Sequence, residues 1–283
     1  MESAFQIITV IVLVFIGAGL FSLLYALSLR MRPQPLASKD FICTGCGHEL
    51  KAIEIVPFFS FIFLKGRCKS CGEKIPRGEI ISELIGGTLL PVLFFRFGKQ
   101  PLLLNSDPSF SQVMDITTSM SVIKAAALLL WIFFFAMLFL VAVNDMRTME
   151  IPNVLNVLIF LSGICACFVF RDVDLVSHLI GLAVISLPML LMILIIPGAF
   201  GGGDVKLMAG TGLFLGWKLA LVAVFFGILT GGIYAIALLA KKKIEKKAHF
   251  AFGPFLCFGI ALSAFCGSSM LNWYLALGRR LYG

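Results

Sequence analysis

Long apolar stretches separated by short polar segments run along most of the chain. A helix needs roughly 20 apolar residues to cross a bilayer, and seven stretches are about that long. An eighth is shorter and rich in glycine. The pattern predicts an all-α polytopic membrane protein with about eight transmembrane helices, at residues 5–29, 80–97, 121–143, 153–170, 174–197, 204–215, 219–240 and 250–271.

Two hydrophilic segments divide these predicted helices into units. Residues 31–79 form a polar insert between the first two helices, and residues 98–120 contain the turn-forming run Asn105-Ser106-Asp107-Pro108-Ser109. We therefore predict an N-terminal unit at residues 1–97, an external linker at 98–120 and a six-span unit at 121–283.

The composition excludes a water-soluble globular protein. Hydrophobic residues make up 60% of the chain and charged residues only 13%, which indicates a membrane environment. The net charge of +8 comes from cations that flank apolar stretches, and not from a basic face on a soluble fold. We expect lipid as the surrounding medium and no nucleic-acid partner.

Lysine and arginine indicate the orientation, because short cationic loops stay in the cytoplasm during membrane insertion. With the N-terminus outside, segment 31–79, the turns with Arg147 and Lys206, and the lysine-rich loop 241–247 lie inside and hold most of the cations. Without the short glycine-rich helix at 204–215, loop 241–247 would lie outside, on the opposite side from the other cation-rich segments. We predict a multi-pass protein of the inner (cytoplasmic) membrane, with both termini outside and the polar insert in the cytosol.

Two Cys-x-x-Cys pairs lie in the polar insert, and each is followed directly by glycine. Four thiolates at this spacing are a typical ligand set for a structural zinc ion. Two disulfides are the alternative, but the predicted cytosolic location keeps thiols reduced. We predict Zn²⁺ bound by Cys43, Cys46, Cys68 and Cys71.

Two aspartates lie at the ends of predicted helices. Asp145 follows the third apolar stretch, and Asp204 follows Gly201-Gly202-Gly203. Carboxylates at membrane depth are costly, so each is a candidate functional group. The glycines would permit close backbone approach and unusual dihedral angles around Asp204. The predicted orientation places both aspartates on the cytosolic side.

Two carboxylates that meet in a poorly solvated cleft cannot both be ionised, so they share a proton. One group is then able to activate water while the other protonates the carbonyl oxygen or the leaving amine, as peptide hydrolysis requires. Simpler alternatives stay open: Asp145 pairs with Arg147, or Asp204 caps its helix and pairs with Lys206. The sequence does not show that the two aspartates meet.

These residues belong to a larger set of motifs that resembles the type IV prepilin peptidase family, which comprises bifunctional leader peptidases and N-methyltransferases of the GxGD aspartic class. The set covers much of the chain. It includes the double Cys-x-x-Cys insert, Glu83, Asp145 with Ile151-Pro152-Asn153, Gly201-x-Gly203-Asp204-Val205-Lys206, and Phe252-Gly253-Pro254-Phe255.

The resemblance implies an enzyme that removes the basic leader peptide from prepilins or pseudopilins at the cytoplasmic membrane face. Asp145 and Asp204 would be the catalytic pair, with Gly201, Gly203 and Lys206 supporting them. The resemblance also implies N-methylation of the new N-terminus from S-adenosylmethionine, with Glu83 and Gly87 in the methyltransferase region.

Two other functions compete with proteolysis. A proton- or ion-coupled transporter would use Asp145 and Asp204 as relay groups, but a relay needs polar residues through the mid-membrane, and the predicted helices 153–170, 174–197 and 219–240 contain almost none. A non-enzymatic pilus-assembly scaffold would use the zinc insert for docking. Incubation with a prepilin separates the scaffold from the enzyme.

Overall fold

The computed structural model describes residues 2–30, 46, 70–72, 77–98, 116–170, 173–196, 200–240 and 251–282. All regular secondary structure in these ranges is helical, as predicted. The helices are α1 (Glu2–Arg30), α2 (Arg77–Leu93, continued by a π-helical turn over Phe94–Gly98), α3 (Ile116–Thr148), α4 (Asn153–Val169), α5 (Leu175–Val184), α6 (Ser186–Ile195), α7 (Gly202–Leu215), α8 (Trp217–Ala240) and α9 (Gly253–Tyr282).

Within the described ranges, five helical segments are long and apolar enough to cross a membrane. They make the protein a multi-pass membrane protein, because an apolar helix of this length satisfies its own backbone hydrogen bonds in lipid. These segments are Gln6–Ser28, Val122–Thr148, Leu175–Ile195, Trp217–Leu238 and Gly253–Arg280.

The chain folds as two compact units, Met1–Lys99 and Gln100–Gly283. In the first unit, α1 packs against α2 at a pair of glycines. A side chain on Gly86 would collide with the carbonyl oxygen of Gly17 and would lie 2.6 Å from Cβ of Phe21. Small residues therefore allow the two backbones to approach closely, as is common between membrane helices.

Helix α7 lies at the centre of the second unit, packed against α4 and α5. Residues near the start of α4 contact the start of α7, and Gly163 near the end of α4 contacts Leu213 near the end of α7, so these two helices run parallel. Gly181 of α5 meets Gly212 of α7, and Ser177 meets Gly216. Since the numbering decreases on one helix as it rises on the other, α5 is antiparallel to α7.

Aromatic side chains join α3 to the far end of α7. Phe134 stacks on Phe214 with ring centroids 3.9 Å apart, and Trp131 meets Phe214 edge-on at 4.9 Å. Helix α9 runs antiparallel to α3, with Phe135 stacked on Phe265 at 5.2 Å and Gly253 bonded to Asp145. The last turn of α3 and the first turns of α7 and α9 therefore lie at the same end of the bundle.

The predicted single helix at residues 174–197 is interrupted. Helix α5 ends at Val184 and α6 begins at Ser186. Pro188 explains the break, because it has no N–H to donate to the carbonyl of Val184 and its ring crowds that carbonyl.

Polar side chains are buried in helices that the sequence suggested were almost free of them. Asn156 and Ser162 of α4 and His178 of α5 are each at most 4% exposed. Nδ1 of His178 lies 2.7 Å from the carbonyl oxygen of Leu213 and links α5 to α7. The few polar side chains of the predicted helices 153–170 and 174–197 thus include several that are buried in the bundle.

Candidate active site

Asp145 and Asp204 line a single cleft of about 250 Å³ at one end of the second unit. Asp145 lies in the last turn of α3, and Asp204 lies in the first turn of α7. Both are buried, with 5% and 7% of their surfaces exposed, and their carboxylates interact electrostatically. The fold therefore brings together two acidic groups that are 59 positions apart in the chain.

The turn between α3 and α4 forms one wall of the cleft. The N–H of Met149 donates to the carbonyl oxygen of Asp145 at 2.9 Å, and Met149 has a φ of 54°. A left-handed residue that closes such a bond is a common way to end a helix, although it is costly for a residue other than glycine. The chain reverses sharply here, and Pro152 precedes the first turn of α4.

The carboxylate of Asp145 is held by a main-chain group from another helix. Its Oδ2 accepts a hydrogen bond from the N–H of Gly253 at 2.8 Å. Gly253 is the first residue of α9, where N–H groups have no partner within the helix. The negative charge of Asp145 therefore lies at the positive end of the α9 dipole.

The carboxylate of Asp204 is held within its own helix. Gly201 is the N-cap of α7, and its N–H donates to Oδ2 of Asp204 at 3.2 Å. The proposed capping role of Asp204 is thus confirmed, and it coexists with a place in the cleft. Asp204 thus lies at the N-terminus of its own helix, whereas Asp145, at the C-terminal end of α3, faces the N-terminus of α9; both N-termini favour a negative charge.

Lys206 bridges two helices near the cleft. Its Nζ donates to Oδ1 of Asn153 at 2.8 Å. The bond joins the first turn of α7 to the first turn of α4, so it fixes the register of these parallel helices beside Asp204. Lys206 therefore binds Asn153, and not Asp204 as one of the alternatives from the sequence had it.

The glycines before Asp204 do not adopt unusual dihedral angles, so that expectation was wrong. Gly201 has φ −73° and ψ 141°, and Gly202 begins the helix. Close approach is the real constraint, because a Cβ on Gly203 would lie 3.0 Å from Cβ of Ile151. Gly203 thus lets the α3–α4 turn contact the start of α7.

The other predicted sites lie largely beyond the described residues. Cys43 and Cys68 fall outside them, and Cys46 and Cys71 are exposed. In the part of the chain that the structure describes, no group of three or more His, Cys, Asp or Glu side chains is arranged to bind a metal ion. The donor set itself suits zinc, because four cysteine sulfurs complete a tetrahedral shell.

Glu83 and Gly87, the predicted methyltransferase residues, lie on α2. Glu83 is half-buried, and a Cβ on Gly87 would lie 3.4 Å from Cγ1 of Val14 on α1. Gly87 therefore packs within the first unit, against α1.

Two features of the cleft were not assigned from the sequence. Glu150 is exposed and lines the cleft beside the two aspartates, and Gly253 bonds to Asp145. The Phe252-Gly253-Pro254 sequence was part of the motif set. No local pattern, however, indicates that the N–H of Gly253 bonds to Asp145, 108 positions away.

The fold and the cleft define a multi-pass helical membrane protein with paired carboxyl groups at one end of its bundle. Residues 132–236 match the Type IV leader peptidase family, and residues 15–97 match the bacterial Peptidase A24 N-terminal domain. The chain belongs to the type IV leader peptidase family, as its motifs predicted.

Several curated proteins named prepilin leader peptidase/N-methyltransferase are similar over most of the chain. The protein of Bacillus subtilis is 30% identical over 83% of this chain and 85% of its own length. That of Aeromonas salmonicida is 27% identical over 83% and 74%, and that of Pseudomonas aeruginosa is 24% identical over 88% and 81%. No solved structure matches the chain.

Proposed function

We propose that this protein is a prepilin leader peptidase and N-methyltransferase, with Asp145 and Asp204 as the catalytic pair of the peptidase. It removes the basic leader from prepilins or pseudopilins and methylates the new N-terminus. Family membership supports the activity. The single observation that supports the catalytic assignment is the cleft that both buried carboxylates line.

The pair acts by sharing one proton. The ionised carboxylate accepts a proton from a water molecule, whose oxygen attacks the carbonyl carbon of the scissile peptide bond. The protonated carboxyl group donates its proton to the carbonyl oxygen, and the leaving amine is then protonated as the C–N bond breaks. The two helix N-termini beside the carboxylates favour the single negative charge that the pair retains.

The charge of the cleft matches the proposed substrate. Asp145, Glu150 and Asp204 all line it, and Glu150 is exposed at the α3–α4 turn. A basic leader residue that enters the cleft finds these carboxyl groups as acidic partners at short range.

Eight transmembrane passes fit the packing of the second unit. Helix α7 has 14 residues, or about 21 Å at 1.5 Å per residue, which is shorter than the roughly 30 Å hydrocarbon core, so its crossing requires local thinning of the bilayer or flanking residues that complete the span. It runs parallel to α4. Two parallel helices connected through α5 and α6 must each cross in the same direction. An even number of passes puts both termini on one side, and the cation-rich segments indicate that this side is outside, with the catalytic cleft and the polar insert facing the cytosol at the inner membrane. We propose residues 1–97 and 121–283 as the two functional units, joined by the linker at 98–120; α3 begins at Ile116, so the last residues of the predicted linker belong to this helix.

Two cofactors complete the proposal. Cys43, Cys46, Cys68 and Cys71 bind one structural zinc ion, which cross-links the short polar insert. S-adenosylmethionine supplies the methyl group for N-methylation, as the names of the relatives suggest.

Incubation of purified protein with a prepilin, followed by intact-mass analysis, tests the function. Wild type should release the leader and add a methyl group, whereas D145N and D204N should release no leader. D174N is a matched control, because Asp174 is exposed at the start of α5, near the opposite end of α7. A scaffold or a transporter would leave the prepilin intact.

A further inference from the structure

We infer that Gly253 is a positioning residue for Asp145: its main-chain N–H fixes the orientation of the catalytic carboxylate, and its missing side chain makes room for it. The inference rests on the proposed role of Asp145 in proteolysis. It assigns a function to the Phe252-Gly253-Pro254 turn that begins α9.

The hydrogen bond is the first observation. The N–H of Gly253 donates to Oδ2 of Asp145 at 2.8 Å, and both residues are buried. A first-turn N–H has no acceptor in its own helix, so it must find one elsewhere. A hydrogen bond to an ionised carboxylate is stronger than one between neutral groups. The contact therefore satisfies the helix end and holds one oxygen of the carboxylate in place.

The space around Gly253 is the second observation. A Cβ at this position would lie 2.7 Å from Oδ2 and 3.0 Å from Cγ of Asp145. Any residue with a side chain would push the carboxylate away from its donor. Glycine is thus required by close approach and not by a left-handed backbone, since Gly253 is not among the described glycines with positive φ.

An aromatic contact connects this donor with the one that serves Asp204. Phe252 precedes Gly253, and Phe200 precedes Gly201, the donor to Asp204. The rings of Phe200 and Phe252 are in contact, with centroids 5.7 Å apart. The residues that precede the two glycine donors are therefore in contact.

The variant G253A tests the inference, and G259A is its matched control. Both glycines lie on α9, and both additions create a clash, but a Cβ on Gly259 would collide with the carbonyl oxygen of Ala223 and would lie 2.6 Å from the main-chain N of Gly227, both on α8, and would meet no carboxylate. We expect G253A to lower kcat for leader removal by about 100-fold, since a displacement near 1 Å has that effect. The KM for prepilin should stay unchanged. G259A should lower Tm while the folded fraction keeps its kcat.

Amide exchange tests the hydrogen bond without altering Gly253. In wild type the Gly253 amide should be protected, and D145A should remove that protection. Leu256 serves as an internal control, because its N–H bonds to the carbonyl oxygen of Phe252 and should exchange at the same rate in both proteins. This measurement also decides the matter if G253A does not fold.

The outcomes separate this inference from the proposed function. If G253A keeps a kcat within about twofold of wild type, or if the Gly253 amide exchanges equally in D145A, Gly253 does not position Asp145. The same holds if folded G259A loses kcat as strongly as G253A. If wild type itself releases no leader, the proposed function fails, whereas the amide-exchange result still reports whether the contact exists.

Discussion

Replacing the two aspartates singly and together should show that they act as a unit. In D145N, the amide oxygen of asparagine is still able to accept the N–H of Gly253, and in D204N it is able to accept the N–H of Gly201. Each substitution therefore replaces one carboxyl group of the pair by a neutral amide, while leaving shape and hydrogen bonding nearly unchanged.

The expected effects on stability and on rate differ widely. A charge–dipole interaction at one helix N-terminus is worth about 0.3–1 kcal/mol, and the loss is at most of this size because the remaining carboxylate keeps the single negative charge of the pair. General acid or base catalysis by one side chain contributes about 10²–10⁴ in rate, or about 2.7–5.5 kcal/mol at 1.36 kcal/mol per tenfold. The variants should therefore stay folded and lose nearly all peptidase activity.

The double variant distinguishes a unit from two independent groups. If Asp145 and Asp204 share one proton, D145N/D204N should be about as slow as the worse single variant, since the second substitution removes nothing that still functions. Independent groups would give losses that multiply. Single-turnover cleavage of a purified prepilin, with Tm measured on the same samples, provides the comparison. Multiplying losses, or a single variant that cleaves at the wild-type rate, would refute the shared-proton mechanism.

Three further results are expected. G203A should lower Tm, because its Cβ would lie 3.0 Å from Ile151 and overpacking costs about 1–3 kcal/mol. G202A is the control: a Cβ there would have nothing within 4 Å, so Tm should stay unchanged or rise. Equal losses of Tm in the two variants would contradict the described packing. E150Q should raise the KM for a prepilin with a basic leader but not for one with a neutral leader, as parallel kinetics would show. Elemental analysis should find about one zinc per chain, lost in C43S/C68S; intact disulfides in cytosol-facing protein would overturn the zinc site.

The helical segments were largely predictable because their cause is local. In lipid, a backbone must satisfy its own hydrogen bonds, so any apolar stretch of sufficient length becomes a helix. The predicted start at 153 matches α4, and the short glycine-rich helix is present as α7. Details that depend on single residues differed: Pro188 divides the predicted helix 174–197, and α3 continues to Thr148, beyond the predicted end at 143.

The candidate site was predictable only as a set of separate residues. The cost of burying a carboxylate in a membrane identified Asp145 and Asp204 one at a time. Nothing local indicated that Lys206 would bind Asn153 and not Asp204, or that Gly203 would be needed for contact with Ile151. Both contacts depend on the parallel packing of α4 and α7, which two neighbouring helices in a bundle do not have to adopt.

The sequence by itself determined the apolar helices, the family and the acidic residues, because each of these follows from local composition or from short motifs. Only the tertiary structure decided that Asp145 and Asp204 share a cleft, and that a glycine 108 positions away donates its N–H to one of them. The physical reason is that any apolar helix of sufficient length is stable in lipid, whatever its neighbours. The partner and direction of each helix depend instead on where glycines allow two backbones to approach, which is a property of the packed bundle.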